Sequence, residues 1–232
     1  MLGLGAASAG AATRSVDLQL ILAIDVSSSI DRSEYLLQTE ALAAAFRSPE
    51  VGEAIDRFAP RGIAVTVLQW ASEHLQRQTV PWTWVGPRPS RRAFADRLAA
   101  MRRIDHEGVT AIALAIAAAQ RLFAANGYES GRRVIDLSGD GISNQGPPIA
   151  PLRRRAIAAG ITINGLAILN EEPDLDAYYQ RQVIGGPGAF VITAADYADF
   201  ARAIRAKLVR EISGAGLAAT GEPRPSCRDC GE

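Results

Sequence analysis

Short apolar runs alternate along this chain with segments of helical spacing, a pattern that few architectures can accommodate. Leu18 to Ile24 is apolar except for Gln19, as expected of a strand buried on both faces. Asp31 to Phe46 has helical spacing, with Asp31 and Glu34 placed as a capping box and Pro49 just beyond its end. Gly62 to Trp70 reads as a second strand, and His74 to Trp82, mixed in polarity, as its hairpin partner at a sheet edge. Ser90 to Arg102 and Ala111 to Ala125 are predicted helices, followed by a strand over Arg133 to Leu137 and a helix over Pro148 to Ala159. A strand from Ile161 to Leu169, a short helix from Leu175 to Val183, a strand from Ala189 to Ile192 and a helix from Ala195 to Ile212 complete the pattern. Strands separated by helices predict a mostly parallel, doubly wound α/β sheet with helices on both faces. Ligands of such sheets sit beyond the carboxyl ends of the strands, where the chain reverses direction. The residues just after each strand are therefore the candidates for function.

Asp25-Val26-Ser27-Ser28-Ser29 follows the first strand. In extended chain alternate side chains share a side, so Asp25, Ser27 and Ser29 can surround one point. The competing reading is that the serines cap the next helix. Gly108-Val109-Thr110 precedes the long apolar helix, so Thr110 is either its N-cap or a third hydroxyl ligand. Asp140-Gly141 lies just past the strand that begins at Arg133, where an ordinary Asp-Gly turn is the simpler alternative. Carboxylates and hydroxyls are hard oxygen donors, suited to Mg²⁺, Mn²⁺ or Ca²⁺ rather than to zinc or copper.

Asp-x-Ser-x-Ser, a lone Thr about eighty residues later, and Asp-Gly after a middle strand resemble the von Willebrand factor A domain over roughly Val16 to Ile212. The resemblance implies a Rossmann-like sheet in the order 3-2-1-4-5-6, with five parallel strands and one antiparallel edge. It also implies that Asp25, Ser27, Ser29, Thr110 and Asp140 form a metal-ion-dependent adhesion site. Its details look most like an uncharacterised bacterial, exported branch. Many members have Thr or Ser directly before the second Asp, whereas here Asp140 follows Ser138-Gly139. The expected function is a non-catalytic, metal-dependent protein-binding module that recruits an Asp or Glu carboxylate of a partner. The alternatives are a Mg²⁺-dependent phosphate-processing enzyme and a structural domain without metal. Against the enzyme, position 27 is Ser rather than a second acid, and the only lysine, Lys207, falls in the last predicted helix.

Composition narrows the remaining classes. Lys plus Arg and Asp plus Glu are 25 each, so a dedicated nucleic-acid binder is disfavoured. No internal stretch reaches the roughly 18 apolar residues of a membrane span. The uncharged residues Met1 to Ala12, with small residues at Ala7-Ser8-Ala9 and Ala9-Gly10-Ala11, resemble the end of a secretory signal, so residues 1–15 are read as a leader and a periplasmic or secreted location is expected. Residues 213–232 form a Gly/Pro-rich tail in which Cys227 and Cys230 pair or play no part. His74 and His106 lack a nucleophile-elbow serine, and Glu107 is expected to be a solvated loop charge. Trp70, Trp82 and Trp84 read as packing residues, with Trp82 and Trp84 also able to line one surface.

Overall fold

The computed structural model describes residues 13–58, 60–104, 108–124 and 126–214. The leader up to Ala12, His106, Glu107 and the cysteine pair lie outside them. In chain order the elements are β1 (Arg14–Ser15), β2 (Leu18–Asp25), α1 (Arg32–Arg47), α2 (Pro49–Asp56), β3 (Ile63–Trp70), β4 (Gln76–Val85), α3 (Arg88–Ala99), α4 (Ile112–Leu122), β5 (Tyr128–Glu129) and β6 (Arg133–Gly139). They continue with α5 (Ile149–Ala158), β7 (Ile161–Ile168), α6 (Leu175–Tyr178) running into a π-helical turn (Tyr179–Val183), β8 (Val191–Ala194) and α7 (Phe200–Ser213).

Six strands form one sheet in the order β4-β3-β2-β6-β7-β8, parallel throughout except for the antiparallel β3–β4 edge. Counting only these six, the order is the expected 3-2-1-4-5-6. All eight residues of β2 are buried because it is central and covered on both sides. Leu18, Leu20, Leu22 and Ile24 face the layer built by α1, α2, α3 and α7, whereas Ile21 and Ala23 face the layer of α4, α5 and α6. Phe46 of α1 is fully buried and meets Phe94 of α3 edge-on, with ring centroids 4.8 Å apart. Burying a side chain of that size contributes about 1.5–3 kcal/mol.

The capping box at α1 forms as expected, Glu34 N–H donating to Asp31 Oδ1 at 2.9 Å and Asp31 N–H to Glu34 Oε2 at 2.8 Å. Pro49 does not end the helical region. Ser48 caps a second helix in which Pro49 takes the first turn, where its missing N–H costs nothing, so α2 is an element the sequence reading missed. Helix α3 starts at Arg88 and stops at Ala99, short of Arg102, and α4 stops at Leu122 rather than Ala125. β8 is displaced two residues towards the C-terminus of its expected position. α7 starts at Phe200 rather than Ala195, because Asp196 and Asp199 fold the preceding residues into a turn: Asp199 N–H donates to Asp196 Oδ1 and Ala195 N–H to Asp199 Oδ2. Gly160 ends α5 with φ +72°. β1 and β5 pair in a separate two-stranded parallel sheet that the sequence did not foreshadow.

The tryptophans have structural partners. Trp70 is fully buried. Trp82 Nε1–H donates to Leu122 O at 2.9 Å, and Trp84 Nε1–H donates to Arg61 O at 2.8 Å beneath the stacked guanidinium of Arg14.

Candidate metal centre

β2 has β3 on one side and β6 on the other, so the chain leaves this central strand in both directions and opens a crevice beyond the ends of β2 and β6. Asp25 is the last residue of β2, and Asp140 immediately follows β6. Both are fully buried. Ser27 N–H donates to Asp25 Oδ1 at 2.8 Å, which turns the carboxylate and leaves its Oδ2 buried without a hydrogen bond. Ser27 Oγ and Ser29 Oγ lie 3.2 Å apart, and Ser29 Oγ–H donates to Asp140 Oδ1 at 2.9 Å. Ser29 is exposed while Ser27 is buried, so the cluster meets solvent through Ser29.

Neither serine caps α1, since Asp31 does so. Thr110 is not a cap either: the N-cap of α4 is Ala111, with no side-chain hydrogen bond. The Thr110 hydroxyl instead lies 3.6 Å from where a β-carbon on Gly141 would stand. Its backbone is held on both sides, with Thr110 N–H donating to Asn144 Oδ1 at 2.8 Å and Asn144 N–H to Thr110 O at 3.0 Å. Ser28 joins the first loop to the second, its N–H and hydroxyl both donating to Gly108 O at 2.9 Å. Asp25, Ser27, Ser29 and Asp140 thus form one connected group, and Thr110 borders it from the third loop.

Gly139 explains the departure before Asp140. A β-carbon there would stand 2.9 Å from Asp25 Oδ2 and 2.9 Å from the Tyr179 hydroxyl, a clash with both. The residue between Ser138 and Asp140 must be small for β6 to run so close to Asp25.

Two residues here had no signal in the sequence. Tyr197, which the sequence reading placed inside the last helix, sits in the turn before α7 and donates from its hydroxyl to Asp140 Oδ2 at 3.0 Å. Tyr179, in the π-helical turn, brings a second buried hydroxyl to Gly139. Only tertiary folding places either one, so no local motif marks them.

Burial pushes the Asp25 carboxyl up to about 7, with the neighbouring Asp140 adding to the rise, while hydrogen bonds from Ser27 and the charge of Arg103 oppose it. Asp140 is raised as well, first by burial, against the donors Ser29 and Tyr197. Both tyrosines are pushed well above the ordinary phenol range by burial and by the two carboxylates. Two buried acids with an orphaned oxygen fit a divalent cation, which would offset their charge and occupy Asp25 Oδ2. The donor set is oxygen throughout, and among the described residues no group of three His, Cys, Asp or Glu side chains competes with it. His74 lies in the turn before β4 with its side chain 83% exposed. A 420 Å³ cleft between α2 and α3, lined by Arg47, Arg88, Arg91 and Arg92, shares no residue with these loops.

Solved structures share this fold. Proximal thread matrix protein 1 from the mussel byssus superposes with a TM-score of 0.64 at 16% identity, covering 87% of this chain and 49% of that one. Another structure of it, at 15% identity, has its metal-ion-dependent adhesion motif occupied by zinc. A von Willebrand factor type A protein from Catenulispora acidiphila gives 0.60 at 21% identity over 85% of this chain and 43% of that one. The pilus adhesin SpaC from Lactobacillus rhamnosus GG gives 0.59 at 11% identity over 87% and 31%. The chain spans about half the length of the first of these structures or less. No curated protein matches by sequence. Residues 15–216 match the family described as "Protein of unknown function (DUF1194)", and the chain belongs to that family and has the von Willebrand factor A fold.

Proposed function

We propose that this chain is a non-catalytic, metal-dependent protein-binding module working outside the cytoplasm. Asp25, Ser27, Ser29, Thr110 and Asp140 hold a divalent cation, Mg²⁺ in the first place, with Mn²⁺ or Ca²⁺ as the other hard-oxygen candidates. The observation that carries the reading is the pair of buried carboxylates at the switch point, one with an unpartnered oxygen. Two carboxylates neutralise the cation and three hydroxyls add no charge, so an exchangeable position attracts a partner's Asp or Glu, strongly where water is excluded.

Three further points support it. Val109 and Ile142, next to the loop ligands Thr110 and Asp140-Gly141, are large apolar side chains 41% and 44% exposed, a rim suited to a protein surface. The only lysine, Lys207, is buried on the inner face of α7 against Asp136, so none stands beside Asp25 and Asp140 as phosphoryl transfer would want. The neighbouring folds include a byssal matrix protein and a pilus adhesin, which supports a periplasmic or secreted location. No helix among the described residues is long and apolar enough to cross a membrane.

The test is a calorimetric titration of Mg²⁺ and Mn²⁺ into the full chain, followed by capture of cell-envelope proteins with and without chelator. Saturable cation binding and a chelator-sensitive partner are expected. No cation binding, or Mg²⁺-dependent phosphatase turnover abolished by Asp25→Ala, would overturn the proposal.

A further inference from the structure

The one lysine of the chain is fully buried between two acids, far in sequence from one of them. Asp136 on β6 is in register with Asn164 on β7, and both face α7. Lys207 and Glu211 lie one turn apart on α7 and meet them there. Lys207 Nζ is 2.5 Å from Asp136 Oδ1 and 2.6 Å from Glu211 Oε1, and Asn164 Nδ2–H donates to the same Glu211 oxygen at 2.9 Å. The Lys207–Asp136 contact is close without being an aligned hydrogen bond, for both Asp136 oxygens are buried and have no hydrogen-bond partner. The Phe190 ring, 5.8 Å from Nζ and covered by the Arg210 guanidinium, helps to keep water out.

We propose that Lys207 and Asp136 join in an intramolecular amide, with Glu211 carrying the proton. A proton passing from Lys207 Nζ to the Asp136 carboxylate 2.5 Å away leaves the amine to attack Cγ of that carboxyl and form the N–C bond. Glu211, protonated, gives its proton to the departing hydroxyl while its other carboxyl oxygen takes one from the nitrogen, so Glu211 ends as it began, one water leaves and no oxidant or external reactant is consumed. Two carboxyls and one amine in a dry enclosure hold the protons the step needs. Burial, with the neighbouring Asp136 charge, raises the pKa of Glu211, so it keeps its proton at neutral pH more readily than an exposed glutamate. The amide removes the Lys207 and Asp136 charges from the interior, where holding them as an ion pair carries a desolvation cost. The product pins α7 to β6 at the middle of the sheet.

Intact-mass spectrometry of the folded full chain tests this. The expected mass is one water below that of the sequence, and trypsin should release a branched peptide joining Val134–Arg153 to Ala206–Arg210, because an acylated Lys207 is not cleaved. Asp136→Ala and Lys207→Met should restore the full sequence mass, and Glu211→Gln should leave most of the protein unjoined. A folded wild-type protein at full sequence mass overturns the proposal without reference to any variant. So does a water loss that maps to Asp140-Gly141 as a succinimide. Complete joining in Glu211→Gln would overturn the role given to Glu211.

Discussion

The hydroxyl of Tyr197 donates to Asp140 Oδ2 at 3.0 Å, joining the turn before α7 to the end of β6. With Ser29 on Asp140 Oδ1 and the Ser27 amide on Asp25 Oδ1, three of the four carboxylate oxygens at the switch point are engaged. Asp25 Oδ2 alone is left open. The site is thus held in shape by its own side chains, apart from the atom that a cation would take.

Asp25→Asn should stabilise the cation-free protein at pH 8 while abolishing Mg²⁺ binding. The folded-state value of about 7 lies above the ordinary carboxyl value of 3.8, so folding favours the protonated acid. The stability it gives is full below pH 4 and falls as pH rises to about 7. A shift of that size corresponds to at most about 4 kcal/mol, and asparagine keeps the acceptor for the Ser27 amide. Urea melts at pH 5 and pH 8 check it: the variant should lose the wild-type decline between them.

Tyr197→Phe should cost about 1–3 kcal/mol, the penalty for leaving a buried carboxylate oxygen without its donor. The aromatic packing is preserved, so the fold should survive, with circular dichroism unchanged and the denaturant midpoint lowered. An unchanged midpoint would mean that Asp140 finds another donor.

Gly139→Ala should remove cation binding, because the new methyl would displace Asp25 Oδ2 or the Tyr179 hydroxyl, each 2.9 Å away. Gly131→Ala, where a β-carbon meets nothing within 4 Å, serves as the control and should bind as the wild type does. His74→Ala should also leave cation affinity unchanged, given its exposure. Calorimetric titration compares all three.

Chelator should lower the melting temperature without unfolding the protein. Both faces of the sheet carry their own apolar layer, built mainly from strands and helices, with Val26 and Ile30 of the first loop and Tyr197 adding to one of them. The loss is the mass-action contribution of the cation, about 2.7 kcal/mol at a hundredfold excess over Kd. Differential scanning calorimetry with and without chelator measures it, and complete unfolding at 25 °C would contradict it.

Much of this protein could be read from local pattern. The apolar run of β2, the alternation of strands with helices and the Asp31–Glu34 box are short-range consequences of burial and capping, and they defined the sheet and its helical layers. The order of Asp25, Ser27, Ser29, Thr110 and Asp140 along the chain was equally plain, since each follows a strand or precedes a helix. Boundaries were less so: Pro49 reads equally well as the end of one helix or the first turn of the next, and only the Ser48 cap separates the two. What the chain pattern could not supply were relationships across the fold. Tyr197 reaches Asp140, Tyr179 reaches Gly139, and Lys207 reaches Asp136 only because α6, α7 and β6 pack together. A lone buried lysine and two unremarkable tyrosines carry no periodicity or spacing of their own, so their partners were decided by tertiary packing alone.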